Sequence, residues 1–380
     1  MLGSTTLGGA ESRVMDIYRH MDRERVQFDF LVTMGHTGHF DEEIESLGGH
    51  VYTLPPYRIY NHRQYVKAVK AFFAKHSYAA VHGHMTSTAS IYLPIAKKSG
   101  VPLTIAHARS AGVDKGIKGV LTNMLRKNLS KKCDMMLSCS DLAAVSVFGD
   151  DAYQSGKVKI MPNAIDVADY AIDENSRNKI REEYNVQNRF VVGHVGRLHG
   201  AKNHRFLIQA FSDFLKIRSD AVLMIVGDGP LREEIQKWIE EEDSKFESAD
   251  GISLKERIIM TGKQSPVAPF YQAFDAFLFP SFYEGMPGTV VEAQAAGLRS
   301  LISDTITRQV KVTDLVEFNS LSKTSKEWAD KFYSLFCALP VEGFQKERIH
   351  ENEYIQSIMK ESDYDVNNQV LYYTSLYEGN

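Results

Sequence analysis

The sequence predicts an α/β protein built as two domains, each a parallel β-sheet flanked by helices, with their loops facing a central cleft. Three observations carry that prediction. The chain has 380 residues, more than the roughly 100–200 of an ordinary domain. Strand-like and helix-like stretches alternate through both halves, the pattern of parallel sheets. Charge is divided unevenly: residues 1–165 hold 20 Lys and Arg against 14 Asp and Glu, the remainder 24 against 34, and nine of the 13 histidines lie in the first segment. Halves of opposite sign suit two domains with different partners.

In the first domain, placed at 1–165, residues 10–21 read as a helix with Val14, Ile17, Tyr18 and Met21 on one face. Residues 28–33 form a strand, 65–73 a helix, and 79–81 and 102–106 further strands. Residues 135–137 are a short buried strand leading to a helix capped by Ser140 or Asp141. Residues 161–166 are the interdomain hinge. In the second domain, placed at 166–360, strand 189–195 runs into the turn GRLHGAKN and a helix with Phe206, Leu207, Ala210, Phe211 and Phe214 inward. After strand 221–226, Gly227-Asp228-Gly229-Pro230 opens a helix carrying Leu231, Ile235, Trp238 and Ile239, with Pro230 in its first turn. The polar, acidic stretch 240–255 reads as a solvated loop insertion. Strands follow at 257–261, 276–279 and 300–303.

Composition excludes several classes. A net charge of -4 and a pI near 6.4 argue against a protein that coats polyanions, so no nucleic-acid partner is expected. A hydrophobic content of 43% is that of a globular chain. No apolar run approaches the roughly 18 residues of a spanning helix. The start, MLGSTTLGGAES, lacks the basic and apolar regions of a secretory signal. Cys133, Cys139 and Cys337 form no CxxC pair and read as reduced thiols of a cytoplasmic protein, with no metal site expected.

Ligands of open parallel sheets bind beyond the carboxyl ends of the strands, which directs the search to residues just after strands. In Phe279-PSFYEGMPGTVVEAQAAG-Leu298, Glu284 and Glu292 stand eight apart across Gly285, Met286, Pro287 and Gly288. The breakers put Glu284 in a loop and start a helix near Gly288 or Thr289. Free amides at Gly288, Thr289, Val290 and Val291 would then offer a phosphate site, with two carboxylates beside it to accept hydrogen bonds from sugar hydroxyls. The plainer reading, two carboxylates that only cap a helix, is equally open from the residues alone. Arg197 and Lys202, in Gly196-Arg197-Leu198-His199-Gly200-Ala201-Lys202, could reach a diphosphate, against the alternative of a solvated basic helix start. Gly8-Gly9-Ala10-Glu11 at a helix start is a weak signal for close approach of a ligand. Gly227-Asp228-Gly229 is no dinucleotide fingerprint, because Arg232 stands where its third glycine belongs.

His82 and His84 would share a face of an extended chain, but Gly83 at the strand end is expected to turn it, and no third ligand has metal-site spacing. His107, ending another strand, is the better functional candidate. Residues 115–132 contain Lys115, Lys118, Arg126, Lys127, Lys131 and Lys132, interleaved with Ile117, Val120, Leu121, Met124, Leu125 and Leu129 at helical spacing. Such a helix suits an anionic membrane surface or, equally, a core-packed helix with a solvated basic face.

In combination the motifs GGAE, the strand-end His107, PNAID, GRLHGAK, VGDGP, TGKQ followed by Val267, and EGMPGTVVEAQAAG resemble retaining GT-B glycosyltransferases of family 4, from about Gly8 to about Val310. The resemblance implies two Rossmann-like domains, the first on the acceptor side and the second binding the donor. It implies a nucleotide diphosphate sugar as donor, UDP-sugar favoured, no cofactor or essential metal, and a sugar or lipid-linked sugar as acceptor in cell-surface polysaccharide or glycolipid synthesis. Glu284 would contact donor-sugar hydroxyls and Glu292 the ribose. Arg197 and Lys202 would hold the diphosphate, Gly9 would lie near donor phosphate and acceptor, and His107 would line the reaction centre. Gly262, Lys263 and Gln264 would lie near the base, with Gly227, Gly285, Met286, Pro287, Gly288, Thr289 and Val290 completing the donor site. The C-terminal helix, residues 365–377, would cross back to the first domain, and the protein would work in the cytoplasm or on the inner face of the membrane. Three departures stand out: only Met1–Leu7 precedes Gly8 where the family has a strand, Arg299 replaces a usual proline, and Ala164 a usual glycine. A non-catalytic nucleotide-sugar-binding protein and a nucleotide-sugar epimerase on the same fold are the alternatives.

Overall fold

The computed structural model describes residues 1–33, 38–109, 117–247, 251–336 and 341–379. The chain divides into two units, Met1–Ile165 with Asp363–Asn380, and Asp166–Ser362.

In the first unit, β1 (Phe30–Val32) pairs in parallel with β2 (Val51–Thr53). β3 (Ala80–Gly83), β4 (Leu103–Ala108), β5 (Met135–Ser138) and β6 (Val158–Ile160) form a second parallel sheet in sequence order. Residues 1–3 are not themselves a regular strand, yet they join the two sheets. Leu2 N donates to Leu31 O, Met1 N to His82 O and His84 N to Met1 O at 3.1, 2.6 and 3.0 Å. The short segment before Gly8 therefore takes a strand's place between β1 and β3. Ser140 does cap the helix Asp141–Phe148, accepting from Ala143 N. The C-terminal helix Val366–Glu378 buries Val366 and Tyr373 against Ile17, Met21, Ile105 and Leu137 of this unit.

The second unit carries β7 (Phe190–Val195), β8 (Ala221–Val226), β9 (Ile258–Gly262), β10 (Ala276–Phe279), β11 (Ser300–Ser303) and β12 (Val316–Asn319), all parallel, in spatial order β12-β11-β10-β7-β8-β9. β7, β8 and β10 are buried along their whole length, which is why they read as unbroken apolar runs. The helix His204–Leu215 turns Leu207, Ala210, Phe211 and Phe214 onto them.

Several expectations need correction. Pro230 is not in the first helical turn: the helix is Arg232–Asp243 with Leu231 at its N-cap. Residues 240–243 belong to that helix and Leu254 is fully buried, so 240–255 is not wholly a solvated insertion. β2, β6, β12 and the helix Thr86–Lys98, which contains Pro94, have no counterpart in the sequence reading. The three strands are three or four residues long, too short to show a period, and Pro94 reads as a breaker. Ala164 is not among the residues with positive φ, so its side chain brings no strain there. Arg299 faces Glu351 at 3.5 Å. Cys337 lies outside the described residues; the Cys133 thiol is pushed up to about 11 by burial.

Candidate functional site

The second sheet builds outward from β7 through β8 to β9, then resumes on the other side of β7 with β10. That reversal is the switch point at which such sheets bind ligands beyond their carboxyl ends. The loops after β7 and β10 leave side by side there. Phe282 N donates to Ala201 O at 2.8 Å and Asn203 Nδ2 to Pro280 O at 3.1 Å. Asn203 can turn the chain at φ 54 because its short polar side chain tolerates the left-handed region.

Between these loops Lys202 Nζ lies 2.8 Å from Glu284 Oε1 and 4.4 Å over the Phe279 ring. The two side chains are only 14% and 17% exposed, so water screens the pair weakly. Arg197 is exposed, and among the described residues no ion pair or hydrogen bond engages its side chain. Two predicted cations thus follow β7, one paired with a carboxylate and the other open to solvent.

Glu284 is followed by the helix Gly288–Ala295, capped by Pro287. The N-cap residue is Pro287, which has no side-chain group to cap the helix, and neither carboxylate occupies the N-cap position. The expected row of four free amides is shorter. Val290 N and Val291 N turn back on Pro287 O at 3.0 and 3.5 Å, leaving Gly288 and Thr289 as the amides this turn offers a ligand. Glu292 is buried inside the same turn, its Oε2 accepting from the Tyr271 hydroxyl at 2.7 Å. Tyr271 carried no signal in the sequence.

The glycines have reasons of their own. Gly196 N donates to Val226 O and Gly227 N to Gly262 O, at 3.0 and 2.9 Å, so the ends of β7, β8 and β9 are stitched together. A Cβ on Gly227, at φ 144, would lie 2.0 Å from Gly196 O. Packing of neighbouring loops demands this glycine, before any ligand does. Gly9 is different: no protein atom lies within 4 Å of a Cβ placed there, so packing within the protein does not require it. Lys263 is exposed, and Gln264 Nε2 donates to Thr261 O at 2.9 Å. Gly285 is half-buried; Met286 and Pro287 are buried beneath it.

In the first unit, β3 and β4 pair with His82 opposite Ile105. Gly83 does not turn the chain away: the His82 and His84 rings stack 4.3 Å apart, and the centre of the His107 ring lies 5.1 Å from that of His82. Arg109 Nε donates to His84 Nδ1 at 3.2 Å and its Nη1 to Asn163 Oδ1 at 2.9 Å. Burial holds all three imidazoles well below their ordinary range, with Arg109 adding to the effect. His82, His84 and His107 each bring a nitrogen within 4.8 Å of the others, the group that could hold a metal among the described residues. The third imidazole comes from a neighbouring strand, which no spacing in the sequence could reveal. His84 stacks on His82, while His107 meets His82 edge to edge through the bond between His82 Nε2 and His107 Nδ1 and is tilted 36° from His84.

The basic stretch is partly outside the described residues: Lys115 is not described, and of Ile117 and Lys118 only the helix backbone is. The helix Ile117–Arg126 leaves Val120 and Met124 71% and 70% exposed. Arg126 is not a surface cation; burial lowers its guanidinium from the ordinary value. No described helix is long and apolar enough to cross a membrane.

Two parallel-sheet units, one with a cation–carboxylate pair beside a helix N-terminus at its switch point, make up the GT-B fold of glycosyltransferases. The chain aligns with Anabaena HepE in complex with UDP at a TM-score of 0.75 and 18% identity, over 99% of this chain and 98% of that one. Residues 7–169 match Glycosyltransferase Family 4 and residues 189–336 match Glycosyl transferases group 1. The chain is 30% identical to EpsF of Bacillus subtilis (strain 168), a protein assigned to the glycosyltransferases, over 93% of this chain and 91% of that relative. It is also 27% identical, over 60% of its length and 59% of the relative's, to the Escherichia coli UDP-Gal:alpha-D-GlcNAc-diphosphoundecaprenol alpha-1,3-galactosyltransferase. The chain belongs to the family 4 glycosyltransferases.

Proposed function

We propose that this glycosyltransferase moves a sugar from a UDP-sugar to a hydroxyl of a sugar or lipid-linked sugar, with retention and without an essential metal, in cell-surface polysaccharide or glycolipid synthesis. The observation that carries this reading is the Lys202–Glu284 pair at 2.8 Å, set at the switch point beside the amides of Gly288 and Thr289. A diphosphate arriving there competes with Glu284 for the ammonium, while Arg197 closes from solvent. At about 4 Å and an effective dielectric of about 20, each cation contributes roughly 4 kcal/mol before desolvation. Glu284, released from Lys202, accepts hydrogen bonds from donor-sugar hydroxyls, and Glu292, steadied by Tyr271, accepts from the ribose. Gly262, Lys263 and Gln264 border the base. The second unit is the donor side and the first the acceptor side, with His107 at the reacting sugar.

Chemistry at the anomeric carbon then follows from charge. The bond to the diphosphate oxygen breaks as the acceptor oxygen bonds the same face, and the departing diphosphate takes the acceptor's proton. Lys202, Arg197 and the two amides stabilise the developing negative charge, an electrostatic task. The UDP named with HepE and the diphosphoundecaprenol substrate named for the Escherichia coli relative support the choice of donor and acceptor classes. Val120 and Met124, exposed beside Lys127, Lys131 and Lys132, support an anionic leaflet as the surface on which the protein works, from the cytoplasmic side.

Lys202→Ala tests the reading. Turnover of UDP-sugar is expected to fall by well over roughly tenfold with the circular dichroism spectrum intact; unchanged turnover removes Lys202 from the site. Product analysis separates the alternatives: a binding protein releases no UDP, and an epimerase changes the donor sugar without acceptor.

A further inference from the structure

The histidine cluster contains a directed chain of hydrogen bonds. Tyr377, on the helix Val366–Glu378, places its hydroxyl 2.5 Å from His82 Nδ1. His82 Nε2 lies 2.9 Å from His107 Nδ1. His107 is fully buried; its Nε2 makes no hydrogen bond of good geometry among the described residues, and the Met161 backbone is the one main-chain group close enough to favour a proton on the ring. A neutral imidazole carries one N–H and one accepting nitrogen, so the direction of the first bond dictates the last. Among the described residues the one acceptor for the Tyr377 proton is His82 Nδ1. Donation there puts the His82 proton on Nε2, which then donates to His107 Nδ1, and the His107 proton must sit on Nε2.

We infer that Tyr377 and His82 are positioning residues that fix His107 as an Nε2–H donor, aimed at an oxygen of the bound substrate. This rests on the reading of His107 as a residue at the reacting sugar. His84 stands outside the chain: it stacks on His82 at 4.3 Å and accepts from Arg109 Nε. Burial keeps His82 and His107 neutral, which the chain requires, since a second proton on His107 Nδ1 would face the His82 Nε2 proton. The C-terminal helix thus acts on the chemistry of the first unit through one phenol, from 270 residues along the chain.

The test is long-range proton–nitrogen NMR of the full chain carrying 15N-histidine, with resonances assigned by His107→Gln and His82→Gln. Wild type is expected to show His107 as a single Nε2–H tautomer, and Tyr377→Phe a mixture of both tautomers. A His107 Nδ1–H form in wild type, or no change in Tyr377→Phe, overturns the inference. UDP release from UDP-glucose gives the second readout. Tyr377→Phe is expected to lower kcat roughly five- to tenfold, the worth of one neutral hydrogen bond, with the KM for UDP-glucose within about twofold. A structural role alone would leave the tautomer fixed and would lower the thermal midpoint instead. Should His107→Ala retain full turnover while the tautomer still responds to Tyr377→Phe, the reading of His107 falls and the chain stands. Zinc alone provides the remaining arm: a rise in thermal midpoint that His84→Gln abolishes would make the cluster a metal site and overturn the chain.

Discussion

Lowering the pH from 7.5 to 5.5 is predicted to destabilise the second unit through two buried histidines. His194 and His204 are 0% and 1% exposed, their rings 5.1 Å apart. Burial pushes both imidazoles down, His204 to about 4, with Lys202 adding to the effect on each. An unfolded histidine titrates near 6.5. Between that value and the folded one the unfolded chain binds protons that the folded chain does not. The stability these groups contribute is therefore present above about 6.5 and lost as the pH falls through this window. At pH 5.5 His204 alone costs about 1.4 kcal/mol relative to neutral pH, and His194 adds a cost of the same sign. That is an appreciable part of the roughly 5–15 kcal/mol by which domains are ordinarily stable. Both tryptophans, Trp238 and Trp328, belong to this unit, so urea unfolding followed by tryptophan fluorescence reports on it alone. His204→Phe supplies the control: neither ring nitrogen of His204 has a hydrogen-bond partner among the described residues, so phenylalanine forfeits no bond. The variant is expected to lose about 1.4 kcal/mol less stability between pH 7.5 and 5.5 than wild type. Equal losses in the two proteins, or no loss in wild type, would refute the reasoning.

Other outcomes follow from the same geometry. Asp275 accepts from Arg177 and, at 3.1 Å, from Arg181, beside Arg348, whose guanidinium burial pushes down to about 9. Asp275→Asn leaves buried cations uncompensated and is expected to cost about 3–5 kcal/mol in urea unfolding; a loss under about 1 kcal/mol would mean the arginines are held by backbone carbonyls alone. Turnover is expected to survive saturating EDTA, because Lys202, Arg197 and two amides supply the positive charge; loss on chelation and recovery with Mg2+ would contradict this. In flotation with anionic liposomes, Val120→Ser/Met124→Ser is expected to float several-fold less than wild type, and equal flotation removes the membrane surface from these residues.

Legibility in the sequence followed length and burial. β7, β8 and β10 showed because they are long, apolar runs buried throughout, and the Glu284–Glu292 segment showed because Gly285, Pro287 and Gly288 mark where its loop ends and its helix begins. β2 and β6 were hidden because three residues give no period. The role of Tyr271 was hidden for a different reason. Its hydroxyl meets Glu292 across 21 residues, through a fold that brings two helices together, and nothing local marks it. The histidine cluster needed strand register, since His107 reaches His82 from the neighbouring strand. Gly227 was legible as a glycine of consequence, and Gly196 O at van der Waals-forbidden distance from a Cβ there is a cause that no local pattern could show.

Isothermal calorimetry of UDP with wild type, Lys202→Ala and Arg197→Ala tests the central claim most directly. A diphosphate gripped by these two side chains predicts micromolar binding to wild type, at least tenfold weaker binding to each variant, and a loss of that difference for uridine, which has no phosphate. Equal affinity of all three proteins for UDP, or an equal loss with uridine, would contradict it.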